Sequence, residues 1–233
     1  MLELRGVSGG YGRHTVLRDV NLVVPDKSVV ALLGANGAGK TTLLRIASGM
    51  LPARSGQIVL DGVDVTRWPA YRLARSGVCH VPEGRGIFRA LSVRDNLRLQ
   101  APRSVDLRAI PTATAAFPRL GERLDQQAGT LSGGEQRMLA LAHPQLANSR
   151  MILLDEVSIG LAPKVVDMLF EHLQNLAAGG ASLLLVEQYV GRALKLADYA
   201  YILRKGRIIF AGEPGQLTSE RVLVSYLGET ASV

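Results

Sequence analysis

The sequence predicts an α/β domain with a mixed sheet core, an antiparallel β part at its N-terminal end and an inserted helical lobe. Short apolar runs at residues 29–33, 151–154 and 182–186 are typical of strands buried on both faces. A helical pattern at residues 165–176 separates the last two runs, and strand–helix–strand order builds a parallel sheet with right-handed crossovers. Residues 88–149 instead hold several helical patches and four prolines, which indicates the helical lobe.

The remaining elements follow from local patterns. Short apolar runs interrupted by Gly and Pro predict further strands, at residues 2–4, 16–24, 58–60 and 78–81. A periodic segment at residues 41–47 predicts a helix directly after the first buried strand. Near the end of the chain, the apolar runs 201–203 and 207–210 flank Lys205-Gly206, which predicts a hairpin.

Length and composition fit one folded domain. The 233 residues are 47% hydrophobic and 20% charged, so we expect a single domain over residues 1–233, with a core of about 1–87 and 150–233. One cysteine, Cys79, excludes an internal disulfide and indicates a reducing compartment. We find no apolar run long enough to span a membrane and no signal peptide pattern. The net charge is +7, but the arginines are scattered and aromatic residues make up only 5%, which argues against a nucleic-acid partner.

A glycine-rich segment carries the first chemistry. GANGAGKT at residues 34–41 matches the phosphate-binding pattern G-x-x-x-x-G-K-[ST] between a predicted strand and a predicted helix. Glycines let backbone N–H groups converge on phosphate oxygens, and the helix N-terminus adds partial positive charge. Lys40 supplies a point charge to the β- and γ-phosphates, and the Thr41 hydroxyl is a candidate Mg²⁺ ligand. The predicted ATP-binding residues here are Gly34, Ala35, Asn36, Gly37, Ala38, Gly39, Lys40, Thr41 and Thr42.

Two carboxylates follow a later buried strand. Asp155 and Glu156 end the apolar run 151–154, which delivers them to the carboxyl edge of the sheet beside the phosphate loop. Asp155 suits direct or indirect contact with Mg²⁺, and Glu156 suits polarisation of an attacking water.

A third motif, LSGGEQ at residues 131–136, lies between the other two. With it, the chain resembles the ATP-binding-cassette (ABC) ATPases, and the resemblance covers nearly the whole sequence. It implies that Tyr11 stacks on adenine and that the loop containing Ser158 and Gly160 crosses to a second subunit. It also implies that the signature contacts the γ-phosphate of ATP held by that subunit, so that two copies sandwich two nucleotides. The signature residues are Leu131, Ser132, Gly133, Gly134 and Glu135.

Departures from the common pattern narrow the resemblance. Glu83 stands where most members carry Gln, which makes it a candidate Mg²⁺ contact, and Gln188 stands where most carry a catalytic His. Together with residues 226–228, these features make the chain resemble the smaller ATPase subunits of branched-chain amino-acid importers. The ATPases of urea, amide and other hydrophobic amino-acid importers are similar. Gln188 is expected to help Glu156 orient water. Val157 replaces the usual Pro, and Pro144 predicts that the helix after the signature is either kinked there or ends near His143.

The resemblance implies the motor subunit of a membrane importer, using ATP and Mg²⁺ at the cytoplasmic face of the cell membrane as a peripheral protein. Its partners would be a second ATPase subunit, transmembrane permease subunits and, indirectly, a solute-binding protein. Two alternatives stay open at this point. One is a soluble ABC ATPase acting on DNA or ribosomes, although residues 42–131 lack sustained heptads and the chain carries one cassette. The other is a regulatory cassette that binds ATP without efficient hydrolysis. His80, His143 and Cys79 are interpreted as structural residues.

Overall fold

A computed structural model of the chain describes residues 1–84, 86–101, 110, 114–187 and 189–217. Two sheets organise these residues. The smaller sheet is antiparallel, in the order β2-β1-β4-β5, and its strands are β1 (Leu2–Gly9), β2 (Leu17–Val24), β4 (Ser55–Leu60) and β5 (Val63–Asp64). In β2, buried and exposed residues largely alternate, as expected for a strand with one face on the core. The predicted N-terminal antiparallel part is confirmed.

The larger sheet has the order β10-β9-β3-β8-β7-β6. Its strands are β3 (Val29–Leu33), β6 (Val78–Val81), β7 (Met151–Asp155), β8 (Ser182–Val186), β9 (Tyr199–Arg204) and β10 (Arg207–Gly212). All neighbours are parallel except β9 and β10, which form the predicted hairpin around Lys205 (φ 48°) and Gly206 (φ 78°). Every residue of β3, β7 and β8 is buried, so these strands are covered on both faces.

Seven helices connect the strands in the described part of the chain. They are α1 (Lys40–Ala47), α2 (Ala70–Arg75), α3 (Val93–Gln100), α4 (Pro118–Gly121), α5 (Gly133–Leu146), α6 (Pro163–Ala178) and α7 (Val190–Leu196), with 3-10 turns at Ala128–Thr130 and Pro214–Leu217. Within the described residues, no helix is long and apolar enough to cross a membrane.

The central strand β3 separates two hydrophobic cores. Val29, Ala31 and Leu33 belong to one cluster, which also contains Phe117 and Leu139 of the helical segment. The intervening residues Val30 and Leu32 belong to a second cluster, shared with the antiparallel sheet and α1. Successive side chains of a strand point to opposite faces, so each face of β3 packs into a different core. The strand that leads into the phosphate loop is therefore fixed from both sides.

The helix that follows the signature continues past Pro144. Of the two predicted possibilities, a kink at Pro144 or an end near His143, the second is wrong, because α5 runs through Pro144 to Leu146. Pro144 lies in the last turn, where it removes one backbone donor, and the end is closed by bonds from Ala147 N to His143 O (2.9 Å) and from Ser149 N to Pro144 O (3.0 Å). Pro144 and Leu146 are both buried, and the burial of Leu146 contributes about 1.5–3 kcal/mol, which offsets the lost bond.

Candidate active site

The phosphate loop joins the carboxyl end of β3 to the first residue of α1. Its last glycine, Gly39, caps the helix with a left-handed backbone (φ 111°) and no side-chain hydrogen bond. A Cβ at Gly39 would stand 2.9 Å from Leu17 Cδ2 and 3.1 Å from Val16 Cγ1. Glycine is therefore required there for both conformation and space, and the first N–H groups of α1 lack a side-chain cap.

Lys40 lies within the curl of this loop. Its side chain is 8% exposed, and its ammonium donates to Gly34 O (2.8 Å) and Ala35 O (3.2 Å). The same ammonium is 3.5 Å from Glu156 Oε1. The fold thus brings the lysine of the first motif and the carboxylate of the second together at one edge of the sheet.

Thr41 and Asp155 form the second contact between the two motifs. The Thr41 hydroxyl donates to Asp155 Oδ1 over 3.2 Å, and Asp155 is 1% exposed. Burial raises the pKa of Asp155, and the negative charges of Glu156 and Glu83 act in the same direction. Carboxylate and hydroxyl oxygens suit Mg²⁺, which proteins hold through one or two carboxylates together with substrate phosphates. In the ranges that the structure describes, no group of three or more His, Cys, Asp or Glu side chains could hold a metal ion.

Glu156 stands on a strained turn. Its φ of 48° lies in the left-handed region, which is uncommon for a residue with a side chain, and its N–H donates to Val186 O over 2.9 Å. Its side chain is 18% exposed and faces a cleft of about 380 Å³. The residues lining that cleft are Val16, Asn36, Gly37, Gly39, Lys40, Thr41, Thr42 and Glu156.

Tyr11 is not among the residues that line this cleft. The residue is 41% exposed, and its hydroxyl accepts a hydrogen bond from Arg45 Nη1 over 3.0 Å. The turn after Tyr11 is held by Arg54, whose guanidinium donates to Thr15 Oγ1 (2.9 Å), Gly12 O (2.6 Å) and His14 O (3.2 Å). The sequence offered no signal for Arg45 or Arg54, because both contacts join residues more than 30 positions apart.

The signature forms a self-capped helix start. Ser132 is the N-cap of α5: its hydroxyl accepts from Glu135 N (3.3 Å), and the Glu135 carboxylate accepts from Ser132 N (2.9 Å). The backbone bond from Ser132 is the main reason that the pKa of Glu135 is lowered, and Arg123 stands 3.5 Å away. Leu131 is buried.

Within one chain, the signature and the phosphate loop line different cavities. Gly133 faces a groove of about 190 Å³ together with Gly84, Arg137 and Gly160, the last with φ 73°. No residue lining this groove also lines the phosphate cleft, among the residues described.

Ser158 is fully buried, and its N–H donates over 3.1 Å to Glu187 Oε1 while its hydroxyl donates to Glu187 Oε2. Glu187 was not among the predicted site residues, although an acid directly after the apolar run 182–186 was a usable signal. Gln188, the predicted helper of Glu156, lies outside the described residues.

The residues interpreted as structural have properties that suit that interpretation. Burial raises the pKa of the Cys79 thiol to about 12, which leaves it protonated and a poor nucleophile. His143 Nδ1 is 3.4 Å from Cys79 Sγ. Burial lowers the pKa of His80 to about 4, so it is neutral at pH 7, and its Nδ1 is 3.1 Å from Ser48 Oγ.

The chain is similar to known proteins in both sequence and fold. Residues 17–158 match the ABC transporter family. The chain is 40% identical over 241 residues to the high-affinity branched-chain amino acid transport ATP-binding protein BraG of Pseudomonas aeruginosa, covering 98% of this chain and 100% of the relative. It is 35% identical to the lipopolysaccharide export system ATP-binding protein LptB of Escherichia coli, covering 98% and 97%. A solved ATP-binding subunit of an ABC transporter superposes with a TM-score of 0.83 at 29% identity, covering 93% of this chain and 91% of that one.

Proposed function

This chain belongs to the ABC transporter family and is an ATPase of its cassette type, and from that premise we propose that it is the motor subunit of an importer for branched-chain or other hydrophobic amino acids. Two relatives with branched-chain amino acid transport names, at 40% and 36% identity, support this substrate class. The LptB relatives favour a second candidate, the motor of a lipid export system. The DNA- or ribosome-acting ATPase is not favoured by these relatives.

One observation carries the chemical part of the proposal. Lys40 stands between the carbonyls of its own loop and the carboxylate of Glu156, and Thr41 contacts Asp155 beside it. We assign the ATP phosphates to Lys40 and the N–H groups of residues 34–42. Thr41 and Asp155 would hold Mg²⁺, with Glu83 adding negative charge nearby. The ion would neutralise charge on the phosphate oxygens when bound.

We assign to Glu156 the orientation and deprotonation of the attacking water. Its carboxylate borders the cleft and reaches to 3.5 Å from the Lys40 ammonium, so it lies beside the groups that would hold the γ-phosphate. Gln188 is kept as its helper. A glutamine amide cannot take up a proton near neutral pH, so it would act only by orienting water or by donating to phosphate.

The second subunit enters through the signature. Residues 131–135 and the loop with Ser158 and Gly160 would act on ATP bound to the partner copy, because Gly133 and Gly160 line a groove that shares no lining residue with the phosphate cleft of their own chain. The N-terminus of α5 would present Ser132, Gly133 and Gly134 to the γ-phosphate. Tyr11, whose ring is partly exposed, would stack on adenine.

The membrane partner would contact the junction of core and lobe. We propose a core of residues 1–87 and 150–233 and a lobe of residues 88–149, with permease docking near residues 83–96. Arg89 is exposed there and available to acidic groups. Arg94 instead pairs with Asp125 at 2.8 Å within the chain, which argues against its use in docking. The protein would sit at the cytoplasmic face of the membrane as a peripheral subunit.

Copurification from membranes tests this proposal. The tagged chain should bring down a transmembrane permease, and vesicles containing that complex should take up leucine, isoleucine or valine with ATP when a solute-binding protein is supplied. A complex carrying the Glu156→Gln variant is the matched control and should bind its permease without driving uptake. Recovery of a complex that moves lipid instead would select the export alternative.

A further inference from the structure

The buried carboxylate of Glu187 is hydrogen-bonded to the turn that carries Glu156. Glu187 is the first residue after β8, and Glu156 the first residue after β7; the two strands are parallel neighbours. Two consecutive residues at the end of β8 hold the turn after β7. Val186 O accepts from Glu156 N over 2.9 Å, and the Glu187 carboxylate accepts from both the N–H and the hydroxyl of Ser158.

This double attachment matters because the turn is strained. Glu156 has φ 48°, a conformation that a residue with a side chain adopts only when its surroundings impose it. Here the restraint comes from both sides of residue 156, at its own N–H and two residues later. Loss of the second attachment would let the turn relax and would move the Glu156 carboxylate away from Lys40.

The choice of residue also points to more than packing. Glu187 is 3% exposed and Ser158 is fully buried, so the carboxylate is held where ionised groups are costly. Both of its oxygens are used on Ser158, which fixes the orientation of that residue as a single bond would not. A third element lies near as well: burial lowers the pKa of Arg137 on α5, and the negative charges of Glu187 and Glu83 oppose that shift.

We propose that Glu187 is a positioning residue, which sets the turnover rate by holding the turn 155–158 so that the Glu156 carboxylate faces the reacting phosphate. It does not line the phosphate cleft, so it acts through Ser158 and the backbone of Glu156. This inference rests on the proposed role of Glu156. It predicts an effect on kcat with little effect on KM for ATP, because Lys40, Thr41 and the loop N–H groups remain in place.

The test is steady-state phosphate release by the full chain carrying Glu187→Gln, Ser158→Ala or both. Each single variant should lower kcat about 10- to 100-fold, with KM for ATP changed less than about threefold, since misplacement of a reacting group by about 1 Å costs on this order. The double variant should be no slower than the slower single variant, because both changes break one attachment. Glu171→Gln, an exposed carboxylate on α6, is the matched control and should leave kcat unchanged.

Three outcomes overturn the proposal: wild-type kcat in both single variants, a raised KM with kcat preserved, or additive effects in the double variant. Ser158→Ala removes one hydroxyl only, so it carries the test if Glu187→Gln fails to fold, and thermal unfolding of each variant identifies that case. Glu156→Gln measured alongside separates the two claims. If Glu156→Gln hydrolyses ATP at the wild-type rate, the role of Glu156 fails; if it is slow while Glu187→Gln is not, only the positioning role fails.

Discussion

The phosphate loop and the signature are both glycine-rich segments at the start of a helix, yet only the helix after the signature has a side-chain cap. At α1 the N-cap is Gly39, which offers no side-chain acceptor, and Lys40 follows at once. At α5 the N-cap is Ser132, and a reciprocal pair of bonds with Glu135 satisfies donors and adds a negative charge to the first turn. The N-terminus of α1 therefore leaves its backbone N–H groups and the Lys40 ammonium available to an anion. The N-terminus of α5 is stabilised by its own side chains, and its ligand would be supplied by a second copy.

Glu156→Gln should produce the largest effect, because it removes the negative charge of the carboxylate that lies beside Lys40 and borders the cleft, while preserving the shape of the side chain. General-base or water-orienting help is worth roughly 10²- to 10⁴-fold, so phosphate release should fall by about that factor. ATP binding should survive.

Gln188→Ala should slow phosphate release to a smaller extent, and Gln188→His should restore part of the lost rate. A wild-type rate in Gln188→Ala would show that Gln188 is not a helper and would leave the role of Glu156 unchanged.

Lys40→Ala breaks the phosphate side of the comparison. The loop would lose its cation opposite the triphosphate, and charged hydrogen bonds of this kind are worth about 1.5–3 kcal/mol, so ATP should bind roughly 10- to 100-fold more weakly. Equilibrium titration with a labelled ATP analogue measures this. The exposed Lys195→Ala variant is the control, and equal affinity of the two variants would contradict the assignment of the loop.

Ser132→Arg breaks the signature side. The wild-type chain should be mainly monomeric alone and should pair on binding MgATP, which light scattering reports most clearly in the slowly hydrolysing Glu156→Gln background. Adding Ser132→Arg should abolish pairing and leave ATP affinity nearly unchanged. Ser92→Arg is a matched control, since Ser92 also caps a helix of the lobe through Asp95 N (3.0 Å). Pairing that is independent of nucleotide and insensitive to Ser132→Arg would refute the sandwich.

The smallest effect should come from the self-capping at α5. Glu135→Ala should cost about 0.5–2 kcal/mol in the free energy of unfolding at pH 7. The pKa of Glu135 is lowered in the folded state, so its ionised form stabilises the fold above its unfolded pKa, and this contribution is lost as pH falls through the folded value. Urea unfolding at pH 7 and pH 3 should therefore show a difference between wild type and variant that shrinks in acid.

Local patterns predicted much of this molecule. The apolar runs 29–33, 151–154 and 182–186 are central strands of the larger sheet, as predicted, because each has the length of a strand and is apolar along nearly its whole length, which suits burial on both faces. The pattern of residues 34–42 contains its own strand-to-helix context, so the loop could be placed from sequence alone.

Contacts made by the tertiary fold could not be predicted in this way. Glu187 meets Ser158 across 29 positions and Arg45 meets Tyr11 across 34, and no local periodicity encodes such pairs. The continuation of α5 past Pro144 could not be predicted for a related reason. Helix propensity disfavours Pro144 because it removes one backbone hydrogen bond, whereas the last turn is stabilised by the burial of Leu146 in the tertiary fold.

The single buried cysteine has a practical consequence. Cys79 is 5% exposed and its thiol stays protonated well above neutral pH, so maleimide reagents should leave the folded chain unmodified. One cysteine introduced at an exposed position, such as Glu171, would then be the only reactive thiol on each copy. Two spin or fluorescent labels, one on each copy, would report the distance between the protomers through a full cycle of ATP binding and hydrolysis without prior replacement of the native cysteine.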